Sequence, residues 1–186
     1  MAHKAFFLDR DGTLNIDYNF VHRPDEWDWC DGAVEALRWI HGNGFKIVVV
    51  TNQSGIARGR YTEEDVQQLH RWVDKQLSPI GISIDRWLMA AHHPNHDPEL
   101  RYPPEDRKPG TGMFLKAAEE LDIDFQSSFM AGDKLSDLKP AVELGITPFF
   151  IQSRHEKNQD KEWLHRHQIP IHRTLWEAIQ THLIST

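Results

Sequence analysis

The chain has 186 residues, of which 39% are hydrophobic and 26% are charged, and its formal net charge is -7. This composition predicts a water-soluble globular protein with one core. The negative charge disfavours nonspecific binding to nucleic acid or to an anionic membrane, and no apolar run is long enough to span a bilayer. Cys30 is the single cysteine, which excludes an internal disulfide. With no secretory leader pattern visible, we expect a cytoplasmic monomer without membrane or nucleic-acid partners.

Short apolar runs alternate with amphipathic helical patterns along the first half of the chain. The run 5–8 predicts a buried strand, and the pattern after it predicts a helix over 33–41, with Asp31 as its cap. The β-branched run 46–50 predicts a second strand, and the acidic segment starting at Thr62 opens a helix that continues to 77.

The second half repeats this alternation after an interruption. Residues 84–89 predict a third strand, whereas residues 91–110 contain five prolines and no apolar period, which predicts a long loop. Helices and strands then follow in turn: a helix over 113–121, a strand over 128–131, a helix over 138–144, a strand over 148–151, and helical segments around Trp163 and over 175–183.

Strands that alternate with helices predict an α/β fold, here a Rossmann-like parallel sheet flanked by helices in a single domain over 1–186. In such sheets, ligands bind outside the carboxyl ends of the strands. Acids, hydroxyls and cations occupy the corresponding positions in this chain: Asp9, Thr51, Asn52, Arg107, Lys108 and Asp133. These side chains are therefore expected to converge on one crevice.

Asp9 and Asp11 are separated by one residue at the end of the first predicted strand. In an extended chain both would reach the crevice while Arg10 points away, and Gly12 would permit a sharp turn. Two carboxylates about 4 Å apart repel by roughly 4 kcal/mol at an effective dielectric constant near 20.

Further carboxylates at Asp133 and Asp137 add to this negative charge. Asp137 could cap the following helix or, equally, support the metal ligands. Clustered hard oxygen donors without a thiol favour Mg²⁺. A carboxylate in such a site can attack phosphorus and form an aspartyl-phosphate that water then hydrolyses.

Four segments carry a family resemblance: DRDGT (9–13), VVVTNQSG (48–55), RKP (107–109) and GDKLSD (132–137). In this order they resemble the four motifs of the haloacid dehalogenase-type (HAD-like) phosphatases. The resemblance implies that Asp9 is the nucleophile and that Asp11 is the acid/base. It also implies that Thr51 and Lys108 hold the phosphoryl group, and that Mg²⁺ binds Asp9, the backbone carbonyl of Asp11, and Asp133. Segments 14–31 and 91–110 are too short for a large cap domain.

The motifs resemble most the heptose 1,7-bisphosphate 7-phosphatases, which take part in building lipopolysaccharide, and the related histidinol-phosphate phosphatases. The resemblance implies a small phosphorylated sugar substrate that is cleaved at C7. Arg107 could grip the remote C1 phosphate with its planar fork. Histidinol phosphate or another small metabolite remains an alternative substrate, and a noncatalytic module that binds a phosphorylated ligand is a further alternative. The implied substrate contacts are Asp17, Tyr18, Asn19, Phe20, Asn52, Gln53, Ser54, Arg107 and Lys134.

The long loop departs from the family pattern. The family typically carries a structural zinc there, held by three cysteines and a histidine. The matching positions in this chain are Ala90, His92, Pro104 and Asp106, which provide too few ligands for a closed tetrahedral site. We therefore expect no structural zinc, and we expect the prolines to stiffen the loop instead.

Overall fold

A computed structural model describes residues 2–153 and 158–184 of the chain. Its core is a six-stranded sheet in the order β3-β2-β1-β4-β5-β6, and all neighbouring strands are parallel. The chain order of the elements is β1 (Ala5–Leu8), α1 (Ala33–Gly42), β2 (Lys46–Asn52), α2 (Glu63–Leu77), β3 (Arg86–Ala90), α3 (Gly112–Leu121), β4 (Phe129–Gly132), α4 (Leu135–Leu144), β5 (Thr147–Ile151), α5 (Asn158–Arg166), β6 (Ile171–His172) and α6 (Leu175–Ile179), and a π-helical turn, Gln180–Ile184, follows α6.

The alternation of side chains along the central strands builds a core on each face of the sheet. Phe6 and Leu8 of β1 pack on one face with buried residues of α1, α2 and α6. Ala5 and Phe7 pack on the opposite face with buried residues of α3, α4 and α5. Because both faces are covered, the central strands consist of apolar residues without polar alternation. The predicted α/β fold is confirmed.

The ends of the helices explain where the chain turns. The Thr62 hydroxyl accepts a hydrogen bond from the Asp65 amide, and the Asp65 carboxylate accepts one from the Thr62 amide, so α2 begins with a reciprocal capping box. The cap of α1 is Gly32, in a left-handed conformation, rather than the predicted Asp31. Within the described ranges, no helix combines the length and the apolar character needed to cross a membrane.

Several boundaries differ from the sequence prediction. Helix α4 begins at Leu135, three residues before the predicted start, because the Asp137 carboxylate caps the Lys134 amide. The predicted helix over 175–183 is α6 followed by the π-helical turn, and β6 was not predicted. The loop over 91–110 contains one short 3₁₀ turn, Pro104–Asp106.

Candidate active site

The chain runs outward from β1 to β3 and then returns to place β4 beside β1. This reversal of strand order opens a crevice at the carboxyl ends of β1, β2 and β4. Asp9 follows β1, Thr51 lies near the end of β2, and Asp133 follows β4. The strand order therefore brings these three side chains to one crevice, as the sequence predicted.

Lys108 connects three of the elements that meet at the crevice. Its Nζ lies 2.8 Å from Asp9 Oδ1, 2.7 Å from Asp137 Oδ1 and 2.7 Å from the Val50 carbonyl oxygen. The ammonium is buried, which by itself would lower the pKa of Lys108, but the carboxylates of Asp137 and Asp9 outweigh burial and raise it. Lys108 is therefore a permanent positive charge inside the site.

Asn52 fixes the backbone at Lys108 independently of the rest of the long loop. The Lys108 amide donates to Asn52 Oδ1, and Asn52 Nδ2 donates to the Lys108 carbonyl, each at 3.0 Å. A side chain at the end of β2 thus pairs with the loop as a neighbouring strand would. The adjacent Thr51 is buried, and its Oγ1 accepts a hydrogen bond from Gln53 Nε2 at 2.8 Å.

Three carboxylates form the one group of three or more potential metal ligands within the described residues. Asp9, Asp133 and Asp137 each offer an oxygen, and these atoms lie within 4.8 Å of one another. Both carboxylate oxygens of Asp133 are buried and lack a hydrogen-bond partner of acceptable geometry among the described residues. Burial and the nearby Asp9 charge raise the pKa of Asp133 to about 7. Buried hard oxygens that are clustered in this way fit Mg²⁺.

Asp137 caps a helix, which is one of the two roles that its sequence position left open, and it also forms an ion pair. Its Oδ2 accepts from the Lys134 amide at 3.0 Å and caps α4, while its Oδ1 pairs with Lys108. Burial and the charge of Asp9 raise the pKa of Asp137 despite these partners. The cluster therefore carries more negative charge than Lys108 alone can neutralise.

The extended-chain argument predicted that Arg10 points away from the site. The structure shows instead that its side chain turns toward Asp11. The chain curls directly after β1, and the amides of Leu14 and Asn15 return to the Arg10 carbonyl. The fully buried guanidinium donates to both carboxylate oxygens of Asp11, at 2.9 and 3.1 Å, and to the Val21 carbonyl at 2.5 Å. Arg10 was missed because alternation holds only while the chain stays extended.

Asp11 is surrounded by donors in this arrangement. Asn15 Nδ2 and Gln53 Nε2 each donate to it at 3.0 Å, in addition to Arg10. Burial would raise the pKa of Asp11, but the Arg10 charge and these hydrogen bonds hold it below its usual value. The neighbouring His70 ring, 3.4 Å from Arg10 Nη1, has its pKa lowered to about 3 by burial and by the Arg10 charge, so it stays neutral.

Two adjoining cavities are lined by these site residues. The inner one, of about 50 Å³, is lined by Asp9, Asp11, Thr51, Asn52, Lys108, Lys134, Ser136 and Asp137. The outer one, of about 150 Å³, is lined by Asp11, Asp17, Asn19, Phe20, Asn52, Gln53, Ser54, Tyr61 and Lys134. Most of the predicted catalytic and substrate-contacting residues therefore meet around one continuous region.

Tyr18 and Arg107 are exceptions among the predicted substrate contacts, since neither lines these two cavities. Tyr18 is exposed and its hydroxyl donates to Asp28. Arg107 Nη1 donates to the His92 carbonyl at 3.1 Å. Tyr61, by contrast, lines the outer cavity, and its hydroxyl donates to Gln53 Oε1. Nothing in the local sequence around Tyr61 indicated this contact.

Comparisons with known proteins agree with this geometry. A family model described as polynucleotide kinase 3 phosphatase matches residues 4–166. D-glycero-beta-D-manno-heptose-1,7-bisphosphate 7-phosphatase from Escherichia coli K12 is 43% identical over 143 residues, covering 76% of this chain and 75% of the relative. The corresponding Pasteurella multocida protein is 46% identical over 135 residues, covering 73% of each chain. The chain belongs to the haloacid dehalogenase-type phosphatases, within the family that this model and these relatives define.

A solved structure of the same family extends the likeness to the whole fold. D,D-heptose 1,7-bisphosphate phosphatase from B. bronchiseptica, complexed with magnesium and phosphate, matches with a TM-score of 0.81 at 28% identity. The match covers 98% of this chain and 99% of that chain. The chain is therefore a phosphatase, an enzyme that hydrolyses phosphate monoesters.

A methyl group at Gly12 should disable this phosphatase. Gly12 has φ +93°, and a Cβ there would lie 2.4 Å from Asp133 Oδ2. Gly44 has φ +73° and open space around its Cβ position. We expect Gly12→Ala and Gly44→Ala each to lower the free energy of unfolding by about 1 kcal/mol through backbone strain. Only Gly12→Ala should also lower hydrolysis of an aryl phosphate more than tenfold. Equal activities of the two variants would contradict the close approach to Asp133.

Magnesium should stabilise the protein more at neutral than at acidic pH. The folded pKa of Asp133, about 7, exceeds its ordinary value of 3.8. Without metal, the stability from this carboxyl is complete below its ordinary pKa and is lost as pH rises through the folded pKa. At Mg²⁺ near 100 times its Kd, binding adds about 2.7 kcal/mol, or roughly 5–10 °C in Tm.

Thermal melting with chelator and with Mg²⁺ measures this difference. The Mg²⁺-dependent rise in Tm should be larger near pH 7.5 than near pH 5, because the metal competes with a proton for the carboxylates. Asp133→Asn should remove the rise at both pH values. A rise that is independent of pH, or that persists in Asp133→Asn, would contradict the assignment of this carboxylate to the metal.

Proposed function

We propose that this phosphatase hydrolyses the C7 phosphate of D-glycero-D-manno-heptose 1,7-bisphosphate, with Mg²⁺, through an aspartyl-phosphate on Asp9. The observation that carries the mechanism is the Asp9 carboxylate, which Lys108 holds at 2.8 Å at the wall of the inner cavity. The substrate rests on the names of relatives that are 43–46% identical.

The first half-reaction is a transfer of the phosphoryl group to Asp9. A carboxylate oxygen of Asp9 attacks phosphorus, the bond between phosphorus and the C7 oxygen breaks, and that oxygen takes a proton from Asp11. The Thr51 hydroxyl and the Lys108 ammonium stabilise the phosphoryl oxygens as negative charge develops on them.

The second half-reaction restores the enzyme. Water attacks phosphorus, the bond to Asp9 breaks, and Asp11 accepts the proton that the water loses. The donors around Asp11 lower its pKa and so keep it ionised, which is the form that can accept this proton, although they also make it a weaker base. To act as the acid in the first step, the protonated Asp11 must release some of its contacts with Arg10, Asn15 and Gln53.

Mg²⁺ would be held by Asp9, the backbone carbonyl of Asp11 and Asp133, with Asp137 beside them. When bound, the ion supplies positive charge that neutralises the transferred phosphoryl group and the carboxylates around it. Lys134 adds a further charge: its Nζ lies 3.3 Å from Asp133 Oδ1 and 3.6 Å from Asp17 Oδ2. Burial opposes this charge, but Asp9 and Asp133 raise the pKa of Lys134 above its usual value.

The outer cavity is assigned to the sugar. It joins the inner cavity at Asp11, Asn52 and Lys134 and is lined largely by polar side chains. Between β3 and α3 the chain forms a loop with one short turn rather than a cap domain. We assign Arg107, at the end of that loop, to the remote C1 phosphate.

Replacement of Asp9 tests the covalent step. Wild-type protein incubated with substrate and quenched in acid should carry one phosphoryl group on Asp9, detected by mass spectrometry, and beryllofluoride, a phosphate mimic that binds a carboxylate reversibly, should inhibit hydrolysis. Asp9→Asn should carry none and should lower kcat by at least about 10³-fold, because the amide is a poor nucleophile. Asp25→Asn removes an exposed carboxylate as the matched control and should retain wild-type turnover.

The substrate is tested by comparing kcat/KM across four phosphate esters. These are the heptose 1,7-bisphosphate, histidinol phosphate, a 3′-phosphorylated oligonucleotide and an aryl phosphate, with ³¹P NMR to show which phosphate leaves. The heptose bisphosphate should rank first and lose its C7 phosphate. A higher kcat/KM for another ester would reject the substrate, and release from Asp9→Asn equal to wild type would reject the nucleophile.

The same proposal includes the absence of a structural zinc. His92 and Asp106 are the two residues with metal-ligating side chains at the four positions of the family pattern, and His92 Nδ1 lies 3.2 Å from Asp97 Oδ2. Protein purified without chelator should contain less than about 0.1 zinc per chain by elemental analysis, and zinc chelation should leave Tm unchanged. One zinc per chain would contradict this.

A further inference from the structure

The long loop is organised around a buried carboxylate that has no part in the chemistry described above. Asp97 is 1% exposed although its loop neighbours Pro98 and Glu99 face solvent. Four nitrogen atoms from both sides of the loop surround its two oxygens: Arg101 N at 3.0 Å, Arg101 Nε at 3.4 Å, Tyr102 N at 3.1 Å and His92 Nδ1 at 3.2 Å. The carboxylate thus joins the start of the loop to its middle.

The His92 end of this arrangement leads to Arg107. The His92 carbonyl accepts the hydrogen bond from Arg107 Nη1 at 3.1 Å. No ion pair between Arg107 and a carboxylate is present among the described residues. Burial and the nearby Arg58 charge lower the pKa of Arg107. The electrostatic surroundings of Arg107 therefore do not hold its positive charge in place. The orientation of Arg107 therefore depends on the backbone at His92.

The Tyr102 end leads to the wall of the outer cavity. The ring of Tyr102 packs against the small apolar cluster that contains Ile56, Tyr61 and Ala91. Tyr61 in turn donates to Gln53, which lines that cavity. The contacts that His92 and Tyr102 make with Asp97 consequently link this carboxylate to Arg107 on one hand and to the apolar cluster beside the outer cavity on the other.

We propose that Asp97 is a positioning residue for substrate: by joining His92 to Arg101 and Tyr102, it holds Arg107 where the remote phosphate of a bisphosphate binds. This inference rests on the proposed function. Lys108 is independent of Asp97, because Asn52 and the three acceptors around Nζ already hold that residue.

The first experiment measures the loop without any substrate. Asp97→Asn keeps the shape of the side chain but replaces one acceptor oxygen with an amide nitrogen. Either the Arg101 contacts to Oδ1 or the Tyr102 and His92 contacts to Oδ2 are then lost. Hydrogen exchange of the Arg101 or the Tyr102 amide, followed by NMR, should accelerate at least tenfold. Glu99→Gln removes an exposed charge from the same loop and should leave these amides unchanged. Unaltered exchange in Asp97→Asn would overturn the proposal.

The second experiment separates remote binding from chemistry. For the heptose bisphosphate, Asp97→Asn should raise KM about tenfold with kcat within twofold, and Glu99→Gln should change neither. A small aryl phosphate has no second phosphate, so both of its constants should stay within twofold in Asp97→Asn. Loss of aryl phosphate hydrolysis as well would show that Asp97 supports the whole fold and would overturn the positioning role. Asp97→Glu retains the acceptor oxygens, so its KM should lie between those of Asp97→Asn and the wild type.

A double-mutant cycle identifies Arg107 as the residue through which Asp97 acts. If it does, Asp97→Asn should raise KM in the wild-type background but add less than twofold in an Arg107→Ala background. Additive effects would overturn the proposal. If wild-type protein hydrolyses the aryl phosphate but not the heptose bisphosphate, the proposed substrate is wrong. Hydrogen exchange of the Arg107 amide then decides the matter: acceleration in Asp97→Asn supports the positioning role, and no change overturns it.

Discussion

The interaction on which the site depends is the burial of the Lys108 ammonium among carboxylates. Its contacts to Asp9 and Asp137 are both under 3 Å, and all three side chains are almost fully removed from solvent. Removing one partner from such a buried arrangement typically costs about 3–5 kcal/mol. With Asp133, the cluster contains three acids and one fully buried cation. This excess of carboxylates favours the binding of a divalent cation.

Parallel topology makes this concentration of charge possible. Successive strands deliver their carboxyl ends to one edge, so residues far apart in the chain meet without any long excursion of the backbone. Close approach then needs small residues at two strand ends. A Cβ at Gly12 would collide with Asp133, and a Cβ at Gly132 would lie 2.5 Å from Asp137. Because these two glycines lack side chains, the carboxylates of Asp133 and Asp137 can occupy the adjacent space.

What could be predicted from the sequence follows from this topology. The buried strands, the helix set Val66, Leu69, Val73 and Leu77, and the residues at strand ends obey short-range periods, and the structure agrees with them. Arg10 could not be placed, because the turn that reverses its direction depends on backbone hydrogen bonds from residues beyond Gly12. Strand β6 has two residues at the edge of the sheet, too few to show a period. Tyr61 and Asp97 act through tertiary contacts that leave no local pattern.

The adjacent residues Arg107 and Lys108 illustrate how the site can separate chemistry from recognition. The Lys108 backbone is paired with Asn52 of β2, a strand in the interior of the sheet, and its ammonium contacts the carboxylates of Asp9 and Asp137. Arg107 is held instead by a carbonyl within the long loop, whose geometry depends on Asp97. A change in the loop can therefore move Arg107, which we propose for the far end of the substrate, while Asn52 keeps the backbone at Lys108 fixed.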